Sequence, residues 1–453
     1  MSWVDQEMAG VEMGDERLNK RTKQLLGSLF GQPTNSLPVA CRGWTETQAA
    51  YRFFDNRKVT PEKILAPHRE ATCVRMGEQP VVLCVQDTSE LDYSGQKQMR
   101  DLGPLTYEAQ QGLLLHPTLA ITPDRLALGV LDNRIWARDI ESYGKGKDRA
   151  SKPIEEKESF RWIEGYQQIC RISQRLPNTR CVYVADRESD LYDLFIEAEE
   201  QENPADFLVR AKHDRIVTDD SRLSEELARA AVLGEATFEL PPTHSRQRKP
   251  VTQRLKAVRV NLRPPTKKAQ LPSVDVTVIL AEEVRPPKGE KPITWILLTN
   301  LPVTTGDQVL EKLQWYLCRW QIEIFFRILK SGCKVEKLQL ECAERLQPAL
   351  MMYMIIAWRV LYLTYLGREC PDLPCDLVFD TKEWQAIHLV STQTRAPEQV
   401  PSLNTILRMI ASMGGFLARK SDGEPGPQTI WIGLQRTRDF VLALDAHHAA
   451  RAP

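Results

Sequence analysis

The sequence predicts an α/β (α+β) chain, in which a sheet buried on both faces is covered by helices and flanked by further helical segments. Three observations carry that reading. Two β-branched apolar runs each stop at an aspartate: PVVLCVQDT (Pro80 to Thr88) at Asp87 and CVYVADRE (Cys181 to Glu188) at Asp186. Continuous apolar runs of this length read as strands buried on both faces. The third observation is YLCRWQIEIFFRILK, Tyr316 to Lys330, where Tyr316, Arg319, Glu323 and Lys330 follow one another at offsets of 3, 4 and 7 residues. At roughly 100° per residue, those offsets put all four within an arc of about 60° on one helix face.

The elements follow in order. Residues 1 to about 75 read as helical: Asp15 can cap a helix from Glu16 through Phe30, and Thr45 to Phe54 gives a second, with Pro33, Pro38 and Pro61 as punctuation. After the Asp87 strand, GLLLHPTLAIT (Gly112 to Thr122) and LALGVLDNRIWAR (Leu126 to Arg138) read as a meander joined by Pro123-Asp124. Ser159 to Leu176 has helical periodicity, the Asp186 strand follows, then a helix from Ser189 to Gln201 and a strand over Phe207 to Arg210. Between about 215 and 294, alternating runs such as Leu255 to Leu262 and Val274 to Leu280 predict a β insertion, with Pro264-Pro265 and Pro286 to Gly289 as turns. Beyond 345 the chain is mostly helical, including Leu403 to Arg419, with a linker-like stretch from Lys420 to Pro427. Strands, helix, strand with acid, helix, strand and a later helix with acid is the layout of an RNase H-like core.

An acid at the end of a buried strand points into the crevice where α/β folds place ligands. Asp also simply opens turns, and the helix bearing Glu323 can equally be a solvated face with i,i+4 ion pairs such as Arg319 to Glu323. On the functional side, Asp87, Asp186 and Glu323 can hold hard divalent cations, and Arg319 and Lys330 can neutralise phosphate oxygens.

Together these residues resemble the bacterial insertion-sequence DDE transposases that carry the YREK motif. The resemblance runs over nearly the whole chain: Ala49 to Phe53, Asp87-Thr88-Ser89, Asp186-Arg187-Glu188 with Asp190, Trp295 to Thr299, Tyr316 through Lys330, and Gly414-Gly415-Phe416. It implies catalytic, metal-holding Asp87, Asp186 and Glu323, with two Mg²⁺ ions per site that Mn²⁺ can replace. It also implies DNA contacts from Tyr316, Arg319, Lys330, Arg210 and Lys212, and a Trp295 that stacks on a flipped base. Read from the residues alone, Trp295 is equally a core tryptophan of its strand, and Arg210 and Lys212 are solvated strand-end cations. Glu188 and Asp190 can serve as helix caps, and His116, alone in an apolar strand, reads as structural.

The expected organisation is a helical DNA-binding domain over 1–75 and an RNase H-like catalytic domain over 76–345. A C-terminal helical dimerisation domain over 346–453 completes it. The expected activity is cut-and-paste transposition: binding element-end duplex, cutting it, passing through a hairpin and joining the 3′ ends to target DNA as a homodimer on paired ends. Competing readings are another RNase H-like nuclease and a non-catalytic DNA-binding regulator derived from a transposase.

Composition bounds the rest. Length alone, 453 residues, predicts several domains. Sixty basic and sixty acidic residues give no net charge, but the cations cluster. Eight Lys/Arg against two acids lie between Arg17 and Thr60, and nine Lys/Arg with no acid lie between Pro241 and Gln270. The second run is either a loose basic loop or a DNA-facing surface. Ten cysteines without a CxxC pair argue against zinc and for reduced thiols in a cytoplasm, with the protein associated with the nucleoid. The apolar stretch from Leu346 to Gly367 contains Arg359 and Pro348 and reads as a buried bundle helix, not a membrane span.

Overall fold

The computed structural model describes residues 2–142, 152–240 and 249–451. Five helices lead: α1 (Trp3–Glu7), α2 (Glu16–Gly31), α3 (Leu37–Cys41), α4 (Trp44–Phe54) and α5 (Pro61–Gly77). Then come β1 (Val81–Gln86), β2 (Ser89–Asp92), β3 (Gly103–Pro104), β4 (Gln111–Ile121), β5 (Ala127–Trp136), α6 (Phe160–Gln174), β6 (Arg180–Ala185), α7 (Tyr192–Glu200) and β7 (Asp206–Arg210). The insertion contributes α8 (Leu223–Arg229), β8 (Val232–Leu240), β9 (Lys249–Leu262) and β10 (Val274–Glu283), and β11 (Thr294–Thr299) closes it. The chain finishes with α9 (Gly306–Leu317), α10 (Trp320–Arg327), α11 (Ala343–Glu369), α12 (Thr381–Thr392), α13 (Leu403–Met413) and α14 (Pro427–Arg451).

These elements form two compact units, one from Met76–Asp87 and Gly146–Trp320, the other from Met1–Arg75, Thr88–Lys145 and Gln321–Pro453. In the first, β1, β6 and β7 run parallel, and β11, β10, β9 and β8 follow antiparallel. The core strands are apolar on both faces because helices cover them. The last five residues of β1 and of β6 are all buried. Helix α6 presents Trp162, Ile163, Tyr166 and Ile169 as its buried stripe, and Gly165 lets it approach β1 closely, against Gln86. Phe195 of α7 stacks on Phe207 of β7 at 5.2 Å.

Most of the described cations in the acid-free run are held by other groups of the same unit. Lys256 Nζ donates to the carbonyls of Leu227 (2.8 Å) and Ala228 (3.0 Å), capping the C-terminal end of α8. Arg259 donates to the Asn300 carbonyl at 3.1 Å, Arg263 pairs with Asp220, and Lys268 pairs with Asp193. Residues 241–248 of that run lie outside the described residues.

In the other unit the Asp15 carboxylate accepts from Arg17 N at 2.9 Å and starts α2 as expected. β4 and β5 form the anticipated hairpin, with a register shift at Thr118/Leu119. Helix α11 is long and apolar enough to cross a membrane, yet 94% of its most apolar window is buried within the fold. Around it lies a polar cluster: Glu7 of α1 accepts from Arg75 (2.9 and 3.0 Å), His68 Nδ1 lies 2.5 Å from Glu7, and His68 Nε2 accepts from Val130 N at 2.9 Å. Trp358 of α11 covers this cluster, with its ring 4.6 Å from the Arg75 guanidinium, and donates to the Ala127 carbonyl at 2.8 Å.

Three expectations need correction. The stretch from Tyr316 to Lys330 is not one helix face. α9 stops at Leu317, Cys318 and Arg319 form a turn, α10 restarts at Trp320, and Ile328–Gly332 widens into a π-helical turn closed by Cys333 N to Ile328 O at 2.8 Å. The helix read through Arg419 ends at Met413, because Gly414 and Gly415 follow and Gly415 adopts φ +95°. Strand β8 was not anticipated.

Candidate active site

The two aspartates leave the ends of adjacent parallel strands. β1 and β6 pair from Val81 against Arg180 to Val85 against Val184. The constant offset of 99 carries Asp87 to the same level as Asp186, the residue that follows β6. Each exits where its strand runs out of ladder partners, so its carboxylate leaves the apolar interior for the crevice. Asp186 also accepts from Glu188 N at 2.8 Å, which starts a short 3₁₀ turn.

Tyr316 and Arg319 belong to the same unit. Arg319 donates to Asp87 Oδ2 at 2.8 Å, with only 11% and 20% of the two side chains exposed. The Tyr316 and Trp320 rings lie 6.0 and 5.7 Å from the Arg319 guanidinium. Neither Tyr316 (3% exposed) nor Arg319 (9%) lies on a solvated face. Burial pushes the Tyr316 phenol above its ordinary pKa, so it stays a hydrogen-bond donor. Arg210, at the end of β7, is pulled below its ordinary pKa by burial and by the neighbouring Arg187 and Arg319 charges, while its hydrogen bond with Tyr316 opposes the shift. The positive charges around Arg210 raise its cost of carrying charge, and an added polyanion relieves that cost.

Other anticipated residues have different surroundings. Lys212 is exposed, and its backbone N–H donates to Asp190 at 2.7 Å. Asp190 is buried, accepts from His213 N at 3.0 Å and holds Arg215 Nε at 3.1 Å, so it fastens the loop after β7 instead of capping a helix. Glu188 holds the buried Arg161 at 2.7 Å. Trp295 is half-buried and stacks on Phe238 of β8, with 5.8 Å between centroids and 19° between planes, so it is not a core tryptophan. β8 and β11 are separated by two intervening strands, and only a strongly curled sheet brings these rings together.

In the other unit, Glu323 is an exposed residue of α10. Lys330 donates to the Glu90 carbonyl at 2.8 Å and pairs with Glu336 at 3.2 Å, in the π-helical turn. His116 is buried, with Nδ1 2.9 Å from Thr88 Oγ1. Among the described residues, no three His, Cys, Asp or Glu side chains are gathered closely enough to hold a metal ion. The donor chemistry of Asp87 and Asp186 nevertheless fits a hard divalent cation, which prefers carboxylate oxygens. Sequence reasoning passed over Arg161 and Arg215, which brace Glu188 and Asp190. Isolated arginines in polar stretches carry no periodic signal.

Three family models match parts of the chain in order: a transposase DNA-binding region at residues 1–59, a transposase DDE domain at 163–359, and a Tn5 transposase dimerisation domain at 355–451. Among solved structures, a piggyBac transposase in a synaptic complex with hairpin DNA aligns with 86% of this chain at 10% identity and a TM-score of 0.34. This chain spans 58% of that one. A DNA-binding region thus precedes the DDE match and a dimerisation region follows it. The DDE domain implies dependence on divalent metal. The chain belongs to the Tn5-like DDE transposases, whose DNA-binding, DDE and dimerisation regions its own sequence matches in that order.

Proposed function

We propose that Asp87, Asp186 and Glu323 are the catalytic acids, that they hold two Mg²⁺ ions, and that Mn²⁺ can replace these. The observation that carries this is the matched exit of Asp87 and Asp186 from adjacent parallel strands, with Arg319 clasped to Asp87 at 2.8 Å. When bound, the ions supply a nucleophile at neutral pH, first water and then the freed 3′-OH, and stabilise the attacking and leaving oxygens of an in-line displacement. The chain's own residues position the DNA. Arg319, Arg210 and Lys330 neutralise phosphate oxygens, Lys212 adds a surface cation, the protonated Tyr316 donates a hydrogen bond, and Trp295 offers its ring to an extruded base. Glu188 and Asp190 keep the strand ends rigid through Arg161 and Arg215.

In this reading residues 1–75 grip the element end, 76–345 form the catalytic domain, and 346–453 pair two subunits on two ends in the cytoplasm, at the nucleoid. Cleavage proceeds through a hairpin before the 3′ ends join target DNA. The test is to incubate the purified protein with duplex from the flanks of its own gene and Mg²⁺. Asp87→Ala, Asp186→Ala and Glu323→Ala should each abolish cleavage while leaving end binding intact. Near-normal cleavage by any of the three removes that residue from the assignment.

A further inference from the structure

Beyond the catalytic acids, one groove is lined by cations without a single carboxylate. It measures about 500 Å³ and is bounded by Arg327, Ser331 and Lys334 on one side and by Gln428, Trp431 and Gln435 of α14 on the other. Thr34 completes the rim and accepts from the Gln435 amide at 2.5 Å. All of these residues belong to one compact unit. Arg327, Ser331 and Lys334 are exposed, and among the described residues neither cation makes an ion pair or a side-chain hydrogen bond. Lys330 is held by Glu336 and Arg345 by Asp55 and Glu341.

The backbone is shaped to build this groove. Arg327 is the last residue of α10, the π-helical turn Ile328–Gly332 follows, and Lys334 adopts the left-handed conformation at φ 52° and ψ 40°. A left-handed position after a helix is usually glycine. Here it is lysine, and the turn sends that cation to the same groove as Arg327. Gly332 packs closely against the Trp431 ring, where a built Cβ would lie 3.1 Å from it, so the turn and the tryptophan floor of the groove are in tight contact. π-helical turns and strained non-glycine residues concentrate at functional sites.

We propose that this groove binds a phosphodiester of the DNA backbone, with Arg327 and Lys334 on the phosphate oxygens and Ser331 and Gln428 as neutral donors. The inference rests on the transposase reading, and it adds a contact beyond the acids and the cations Arg319, Lys330, Arg210 and Lys212. The ligand chemistry is a phosphate held by charge without base recognition, so unrelated duplex should serve as well as the element end.

The experiment measures binding of fluorescent duplex by the full chain between 50 and 200 mM salt, using element-end and unrelated DNA. Removing one cation from a phosphate lowers the slope of log affinity against log salt by about 0.9, so Arg327→Ala/Lys334→Ala should lower it by about 1.8. Over that fourfold salt range the native chain should therefore lose about twelve-fold more affinity than the variant. Lys334→Gly keeps the turn and should lower the slope by about 0.9 by itself, and Arg327→Lys should leave it unchanged. A slope reduced on both duplexes supports the proposal, and one reduced on the element end alone overturns it, because the contact would then depend on the specific complex. Unchanged slopes on both overturn the proposal. So does a groove that only inorganic phosphate fills, shown by a melting shift in millimolar phosphate that the double variant loses while its DNA slopes stay native. If the native chain itself fails to bind duplex, the transposase reading fails instead.

Discussion

Gly165→Ala should disable cleavage from the back of the sheet, without touching DNA. A Cβ built at Gly165 falls 1.8 Å from Gln86 Nε2 and 2.6 Å from its Cδ and Oε1. Ordinary contact begins at 3.4 Å, so about 1.6 Å of separation is missing (3.4 − 1.8). Gln86 is 1% exposed and cannot swing into solvent, so the strain passes to the end of β1, whose next residue is Asp87. Overpacking of this kind costs about 1–3 kcal/mol, which lowers the melting midpoint of a unit this size by about 2–4 °C per kcal/mol. The kinetic effect should exceed the thermal one, because moving a reacting group by about 1 Å can cost roughly a hundred-fold in rate. The assay pairs a thermal melt with single-turnover cleavage of end duplex and an end-binding titration. Cleavage should fall about a hundred-fold with binding unchanged, and Gln86→Ala in the same chain should restore most of it by emptying the clash. If Gly165→Ala cleaves at the native rate, the packing of α6 on β1 does not position Asp87.

Arg319→Ala should weaken the cleavage-competent complex by about 2–3 kcal/mol, the scale of a charge-assisted hydrogen bond. Tyr316→Phe should lose about 1 kcal/mol. Single-turnover rates at saturating DNA check both, and native rates in both variants would return this segment to a structural role. The Glu7–His68–Arg75 cluster predicts acid lability. Burial lowers the pKa of His68 and favours its neutral form, so the unfolded chain binds the extra proton and stability falls as pH drops below about 6.5. Burial raises the Glu7 pKa, but the hydrogen bond from His68 and the charge of Arg75 outweigh it. This carboxylate therefore adds stability above its ordinary pKa that is lost on further acidification. Melts from pH 7.5 to 4 should show a steady decline in the native chain and a flatter profile in His68→Gln, and a pH-independent native midpoint would refute this. Deleting residues from 370 onward should leave single-end binding but abolish paired-end complexes on native gels, and efficient double-end cleavage by the truncated chain would contradict it.

The strands were legible because burial on both faces leaves an unbroken apolar run, and the acids were legible because each ends one. The turn at Cys318–Arg319 was not, since neither residue is a breaker and the apolar spacing of Ile322, Phe325 and Phe326 continues through it. The π-helical turn was hidden for the same reason. Counting charge left the insertion open between a loose loop and a DNA face, and only tertiary structure reveals the carbonyls and carboxylates that Lys256, Arg259, Arg263 and Lys268 hold. Strand β8 was missed because its residues are mostly half-exposed, with Val232 at 51%, which weakens the alternation a strand needs to be seen.

Helix α11 has a consequence for how this protein can change over time. A helix at the surface keeps a solvent-facing lane along which substitutions drift freely, and that lane is where related sequences first diverge. α11 has almost none: from Ala349 to Leu361 every residue is buried, against α2, α4, β5, α13 and α14 in turn. A polar side chain anywhere along that span meets packed neighbours, so the helix offers evolution hardly any neutral route. The N-terminal helices, the β4–β5 hairpin and the C-terminal helices that share it are therefore coupled through one core, although the first and last of these lie more than three hundred residues apart in the chain.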